Sequence, residues 1–192
     1  MKESKKEIIM HTALSLFAKK GFYVTTIADI AKEMNMSVGN MYNYFSSKES
    51  LAKELLIYTS KKFGDEIKKI NDLNISSKEK INKIIELYFT MAIEEPEVVD
   101  YFMRVYLSNK EIFNNGCEGM LCVSAFVTEI MIFFESGVRR KELKNQDFFV
   151  AFGLFVGYIG GIVFLNNDGV LPKPLMEYSK DVSENIYNAL KA

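Results

Sequence analysis

Residues 21–51 read GFYVTTIADIAKEMNMSVGNMYNYFSSKESL, and three hydroxyl side chains divide this stretch. Thr26 stands three residues before Asp29 and Ser46 three before Glu49, while Ser37 opens the piece between them. A hydroxyl placed three residues ahead of a carboxylate forms a capping box, in which each side chain satisfies a helix-terminal N–H that has no partner inside the helix. The spacing therefore predicts a short helix from Thr26 that buries Ile27, Ile30 and Ala31 and ends at Met34 and Asn35. Asparagine tolerates the left-handed conformation, so Asn35 can make the turn. A second short helix starts at the Ser37 cap, with Met36 and Met41 at the two positions of a hydrophobic staple. After about two turns Ser46 is expected to cap a long helix that reaches about residue 70.

Outward from this stretch the same signals continue. Ser4 and Glu7 make another box, and a helix is expected over about 5–20 with Ile9, Ala13, Leu16 and Phe17 on one face. Gly21 would supply its left-handed stop. Ser76 and Glu79 open a helix of about 77–94 that ends at Glu95-Pro96, followed by helices near 97–107, 118–138, 147–165 and 174–190. No alternating run makes a convincing strand. The expected class is all-α: an N-terminal three-helix module over 1–50 and a helical bundle of about six helices over 51–192.

Two short helices joined by a tight turn and braced by a longer first helix describe a helix-turn-helix, whose second short helix can lie in a DNA major groove. Met41 and Phe45, four apart, would face the core of the module, which leaves Gly39, Asn40, Asn43 and Tyr44 projecting outward. Asparagine can pair with adenine through two hydrogen bonds, and a glycine lets the backbone come close to DNA. Val38 can pack inward or touch a thymine methyl. The same geometry also occurs in modules that never meet DNA.

Residues 21–51 as quoted resemble the N-terminal motif of the TetR/AcrR family of bacterial transcription regulators. They match its G-[FY]-x-x-T-[TS]-[IV]-x-[DE]-I-A opening and its S-x-G-x-[LM]-Y-x-[YH]-F-x-[ST]-K-[ED]-x-L close. The family usually has glycine where this chain has Asn35. The resemblance implies a homodimer with a DNA-binding end and a C-terminal body that dimerises and binds a small-molecule effector. Carried over position by position, it implies DNA contacts from Thr26, Ser37, Gly39, Asn40, Asn43 and Tyr44, and phosphate contacts from Tyr42 and Lys48.

Charge is distributed in the same sense. Residues 1–70 hold 12 lysines against 8 Asp and Glu, a net of +4; the remainder hold 12 cations against 17 acids, a net of −5. The basic part of the chain is its N-terminal third, as a polyanionic partner there would require.

The body is rich in flexible and aromatic apolar side chains, with 11 of the 15 phenylalanines and six of the ten tyrosines in residues 71–192. That composition suits a pocket for a hydrophobic ligand and equally an ordinary helical core, and it identifies no lining residue. Residues 148–165, FFVAFGLFVGYIGGIVFL, carry no charge and space Gly153, Gly157 and Gly161 four apart. The length sits at the lower edge of a membrane span. By analogy with the family this is a dimer helix, apolar all round because its own core and its partner each cover one side, and Phe152, Gly153, Phe155, Gly157 and Gly161 are its interface candidates. No membrane partner is expected.

His11 is the sole histidine, which starves a catalytic triad or a histidine-rich metal site of ligands, and no phosphate-binding glycine fingerprint follows a strand. Neither an enzyme, a metal site nor a cofactor is expected. Cys117 and Cys122 are read as reduced thiols, since two residues five apart on one helix do not share a face. No export signal is credible, and the expected location is the cytoplasm. The expectation is a ligand-responsive, DNA-binding regulator, a repressor released from a palindromic operator. Its alternatives are an activator or an effector-independent regulator and, from another class, a membrane-tethered helical protein.

Overall fold

Ser4, Thr26 and Ser37 each hold extended backbone and accept a hydrogen bond from the N–H three residues on, so each begins a helix. The computed structural model describes residues 4–108 and 122–192. Its helices are α1 (Lys5–Lys20), α2 (Ile27–Glu33), α3 (Val38–Tyr42), α4 (Lys48–Asn71), α5 (Ser77–Glu94), α6 (Pro96–Ser108), α7 (Ser124–Arg139), α8 (Phe148–Asn167) and α9 (Ser179–Leu190). A 3-10 turn, Leu175–Tyr178, leads into α9 where one continuous helix from residue 174 was expected. The described residues contain no strand, only an isolated bridge between Leu143 and Lys191, and the fold is all-α as the capping signals imply.

The helix ends show how local chemistry stops each element. Asn35, Lys141 and Gly169 all have positive φ (53°, 60° and 67°). At each, the next residue's N–H reaches back five positions to a carbonyl: Met36 to Ala31, Glu142 to Gly137, Val170 to Leu165. This is the Schellman arrangement, in which one left-handed residue turns the chain and satisfies carbonyls the helix leaves open. Gly21 differs from the expected left-handed stop. Its φ of 86° comes with ψ of 155°, a region open essentially to glycine alone, so the chain leaves α1 extended rather than curled.

Two starts also differ from the sequence reading. The cap of α4 is Ser47, whose Oγ accepts from the Ser50 N–H at 3.0 Å, and not Ser46. That choice puts Lys48 at the first helical position, where its side chain can reach the preceding loop. The helix expected from residue 118 begins at Ser124; residues 118–121 lie outside the described residues, and Cys122 and Val123 form a 3-10 turn. Cys122 is disulfide-bonded, which corrects the expectation of a reduced thiol; Cys117 lies outside the described residues. Cys122 precedes α7, so the helical spacing that would keep two thiols on different faces does not apply to it.

The chain forms two compact units, Met1–Ser60 with Glu95–Val123, and Lys61–Glu94 with Ser124–Ala192. The division falls inside α4, ten residues beyond the boundary read at residue 50, and the first unit also takes α6. The reason is visible at Tyr101: its ring stacks on Phe17 at 6.0 Å and its hydroxyl donates to the Ala52 carbonyl at 2.8 Å. Burial raises the Tyr101 phenol far above its ordinary pKa, so it remains a donor.

In the second unit, Phe63 stacks on Tyr88 at 5.1 Å and meets Phe126 edge-on, and Phe126 in turn meets Phe152. Gly64 lets α4 and α7 approach within this aromatic layer. A Cβ there would lie 2.8 Å from the Ala125 carbonyl oxygen, a backbone atom that cannot turn aside. We predict that Gly64→Ala destabilises the fold although alanine favours a helix by about 1 kcal/mol. Overpacking costs about 1–3 kcal/mol, so thermal unfolding followed by circular dichroism should shift down by several degrees; an unchanged or raised midpoint would contradict the close approach.

Candidate nucleic-acid interface

Met41 and Phe45 are buried, as their spacing requires, and this turns the other side of α3 outward. Ser37, Gly39, Tyr42 and Asn43 are exposed, and Asn40 and Tyr44 are half-buried. Val38 is exposed, which settles its orientation toward solvent. Asn43 Nδ2 donates to Asn40 Oδ1 at 3.4 Å. The pair then presents the Asn40 amide as donor and the Asn43 oxygen as acceptor, the complement of an adenine edge. A Cβ at Gly39 would meet nothing within 4 Å, so the glycine is not required by the packing of this chain.

The hydroxyls are less free than the amides. Thr26 Oγ1 accepts from the Asp29 N–H at 3.1 Å and donates to its carboxylate at 2.6 Å. The Thr26 hydroxyl and N–H hold the Asp29 carboxyl below the usual range, so the box stays charged at neutral pH. Ser37 Oγ accepts from the Asn40 N–H at 3.2 Å and keeps its own proton for an outside acceptor.

Lys48 departs from the expected phosphate contact. Its ammonium donates to the carbonyls of Phe22, Tyr23 and Thr25 at 2.9, 3.3 and 3.0 Å and sits 4.4 Å from the Phe22 ring centroid. All three donors are committed to the loop between α1 and α2. Tyr23 and Val24, at the outer side of that loop, are 63% and 71% exposed. Sequence reasoning took both as part of a motif and assigned neither a role. The signal available was that two apolar residues follow Gly21 without a helical partner position to bury them.

The predicted dimer helix divides in the same way. Phe152 and Phe155 are buried in their own unit, and the expectation that they face a partner is corrected. Gly153, Gly157 and Gly161 lie on open surface, flanked by exposed Phe149, Val150, Leu154, Phe164 and Leu165. Phe152 and Phe155 lie on the same turns as the glycines, but on the face that α8 packs against its own core. By length and composition α8 could also cross a membrane, yet 39% of its apolar window is buried inside the protein. Among the described residues no group of His, Cys, Asp and Glu could hold a metal.

Residues 9–55, which contain this helix-turn-helix and the clamp at Lys48, match the N-terminal domain described as bacterial regulatory proteins, tetR family. The helix-turn-helix module is thus of the TetR-family type. The transcriptional regulator YuxN of Bacillus subtilis is 35% identical over 104 residues, 54% of this chain and 35% of that protein. QacR of Staphylococcus aureus is 30% identical over 107 residues, 54% of this chain and 57% of that protein. The chain thus covers less than two thirds of either relative. The crystal structure of FadR from Bacillus subtilis in complex with stearoyl-CoA has a TM-score of 0.80 over 95% of this chain and 98% of that one, at 20% identity, and shares its fold.

Two substitutions separate scaffold from surface. Lys48→Met removes a charged donor from three carbonyls and is expected to lower stability by about 2 kcal/mol, read as a lower thermal midpoint. Gly39→Ala should leave the midpoint unchanged or slightly higher while weakening any DNA complex in which the α3 backbone approaches a base. Equal midpoints for Lys48→Met and the parent would contradict the clamp.

Proposed function

We propose that the chain is a homodimeric transcriptional repressor that binds a palindromic operator and is released from it by a small hydrophobic effector. The observation that carries the reading is the outer face of α3. Its two amides, the bare backbone of Gly39 and the Tyr42 ring are held out by the buried Met41 and Phe45. Asn40, Asn43, Gly39 and Tyr44 would contact bases, and Ser37, Thr26 and Tyr42 would contact phosphates. Lys48 acts by holding the loop that carries Tyr23 and Thr26 in place. Two such modules in a dimer would read major grooves about one helical turn, 34–36 Å, apart.

The dimer reading rests on the open strip of α8. Three glycines along it leave no Cβ between the helix backbone and a second copy, and the apolar residues beside them would be covered. The effector reading rests on the second unit's aromatic layer. Tyr88 is fully buried against Phe63, and its hydroxyl has no hydrogen-bond partner among the described residues. Burial pushes its phenol well above the ordinary pKa, so it can offer a proton to a bound polar atom. The stearoyl-CoA bound to FadR supports an effector with an apolar body. Such a molecule would loosen DNA binding only through a difference in its affinity for the operator-bound and free conformations. The reading includes no catalytic role and a cytoplasmic location.

The test is fluorescence anisotropy with duplexes tiling the DNA beside the gene. A palindromic duplex should bind one dimer, and Asn43→Ala or Asn40→Ala should each weaken it by about 1–3 kcal/mol while leaving random duplex affinity unchanged. Uniform losses on all sequences would instead place these residues on the phosphate backbone.

Dimerisation is tested separately by sedimentation. Gly157→Leu adds a better helix former on open surface, so the subunit should melt no lower, yet the dimer should dissociate at concentrations where the parent stays paired. A Gly157→Leu dimer as tight as the parent would remove α8 from the interface.

A further inference from the structure

At one end of the second unit, where α7 ends, α8 begins and α9 finishes, lies a cavity of about 390 Å3. Its floor is apolar, built from Phe134, Val138, Leu143, Phe148, Ala151 and Leu190. The volume is in the range of small-molecule sites, about 300–1,000 Å3. The rim is of another character: Arg139 and Lys144 stand on it with one acid, Glu135. Neither cation forms an ion pair among the described residues.

The rim is held in place by the backbone. Lys141 turns the chain in the left-handed conformation directly after α7, with Glu142 N–H bonded to the Gly137 carbonyl at 3.0 Å. The Lys144 N–H then donates to the Leu190 carbonyl at 3.0 Å, and the Ala192 N–H to Glu142 at 3.2 Å, which ties this turn to the end of α9. Two further acids nearby are occupied elsewhere, and Glu135 is the one acid left on the rim. Asp147 caps α8 by accepting from Phe149 and Val150 N–H at 2.9 and 3.1 Å, and Glu142 accepts from the Ser77 N–H and pairs with Arg140. Two cations outside any ion pair among the described residues therefore border an apolar floor.

We propose that this cavity binds an amphipathic monoanion of the medium-chain carboxylate class. The carboxylate lies between the Arg139 guanidinium, whose fork matches it, and the Lys144 ammonium. The chain lies along Val138, Leu143 and Phe148 and ends against Ala151. This site is separate from the aromatic layer around Tyr88, and its occupancy does not depend on the operator reading.

Isothermal titration of the full chain with decanoate is the test, with decanol and decyltrimethylammonium as matched neutral and cationic probes. Decanoate should bind once per chain and at least about tenfold tighter than either. Arg139→Gln with Lys144→Gln, both on exposed side chains, should weaken decanoate at least about tenfold and leave decanol unchanged. Ala151→Leu should block decanoate and decanol together; circular dichroism shows whether that variant is folded, and the exposed pair decides the matter if it is not. Tyr88→Phe should leave decanoate affinity as it was. Equal binding of the cationic probe, decanoate binding indifferent to the paired glutamines, loss on Tyr88→Phe, or no heat at millimolar decanoate would each overturn the assignment.

Discussion

The ammonium of Lys48 occupies the first turn of α4, the positive end of the helix dipole, where a cation is ordinarily unfavourable by about 0.3–1 kcal/mol. Three carbonyls of the loop after α1 offset that cost and set the position of everything between them. Thr25 joins the same knot, its hydroxyl donating to the Gly21 carbonyl at 2.8 Å and directed at the Leu16 carbonyl at 3.3 Å. The end of α1, the cap of α2 and the start of α4 are thereby bound to one another through polar groups. Since α3 is only five residues long, its orientation is inherited from this frame and from the burial of Met41 and Phe45.

A recognition surface built this way is short of cations by construction. Lys48, the first lysine after the recognition helix, is spent on the protein's own carbonyls. What α3 shows to solvent is amide, hydroxyl, aromatic edge and bare backbone, groups that read base edges and groove shape more than they neutralise phosphates. The excess positive charge of the first 70 residues lies outside α3, which itself carries no charged side chain.

The second unit follows a different rule, with α8 as its central piece. One side of α8 buries Phe152, Phe155 and Ile159 in the core while the other leaves glycines and large apolar residues in the open. Composition alone shows a helix apolar all round and cannot assign its sides, because every residue on it qualifies for either. Phe152 and Phe155 fit an interface by sequence pattern, and their burial assigns them to the core. The identity of Gly64 is similar: nothing within ten residues of it explains a glycine in mid-helix, and the explanation lies in the backbone of Ala125, sixty-one residues away.

By itself the sequence determined the helix starts at Ser4, Thr26 and Ser37, the left-handed turn at Asn35, the burial of Met41 and Phe45, and hence the helix-turn-helix. Each of these depends on hydrogen bonds or side-chain contacts between residues within about five positions, so the information is local. Only the tertiary structure decided that α4 starts after Ser47, that Lys48 is a clamp, that α6 packs with α1, and which side of α8 is open. Those outcomes hang on groups far apart in the chain, such as Lys48 with Phe22 or Tyr101 with Phe17. A polar group takes whichever partner the packed chain brings within reach, and local periodicity carries no record of which one that is.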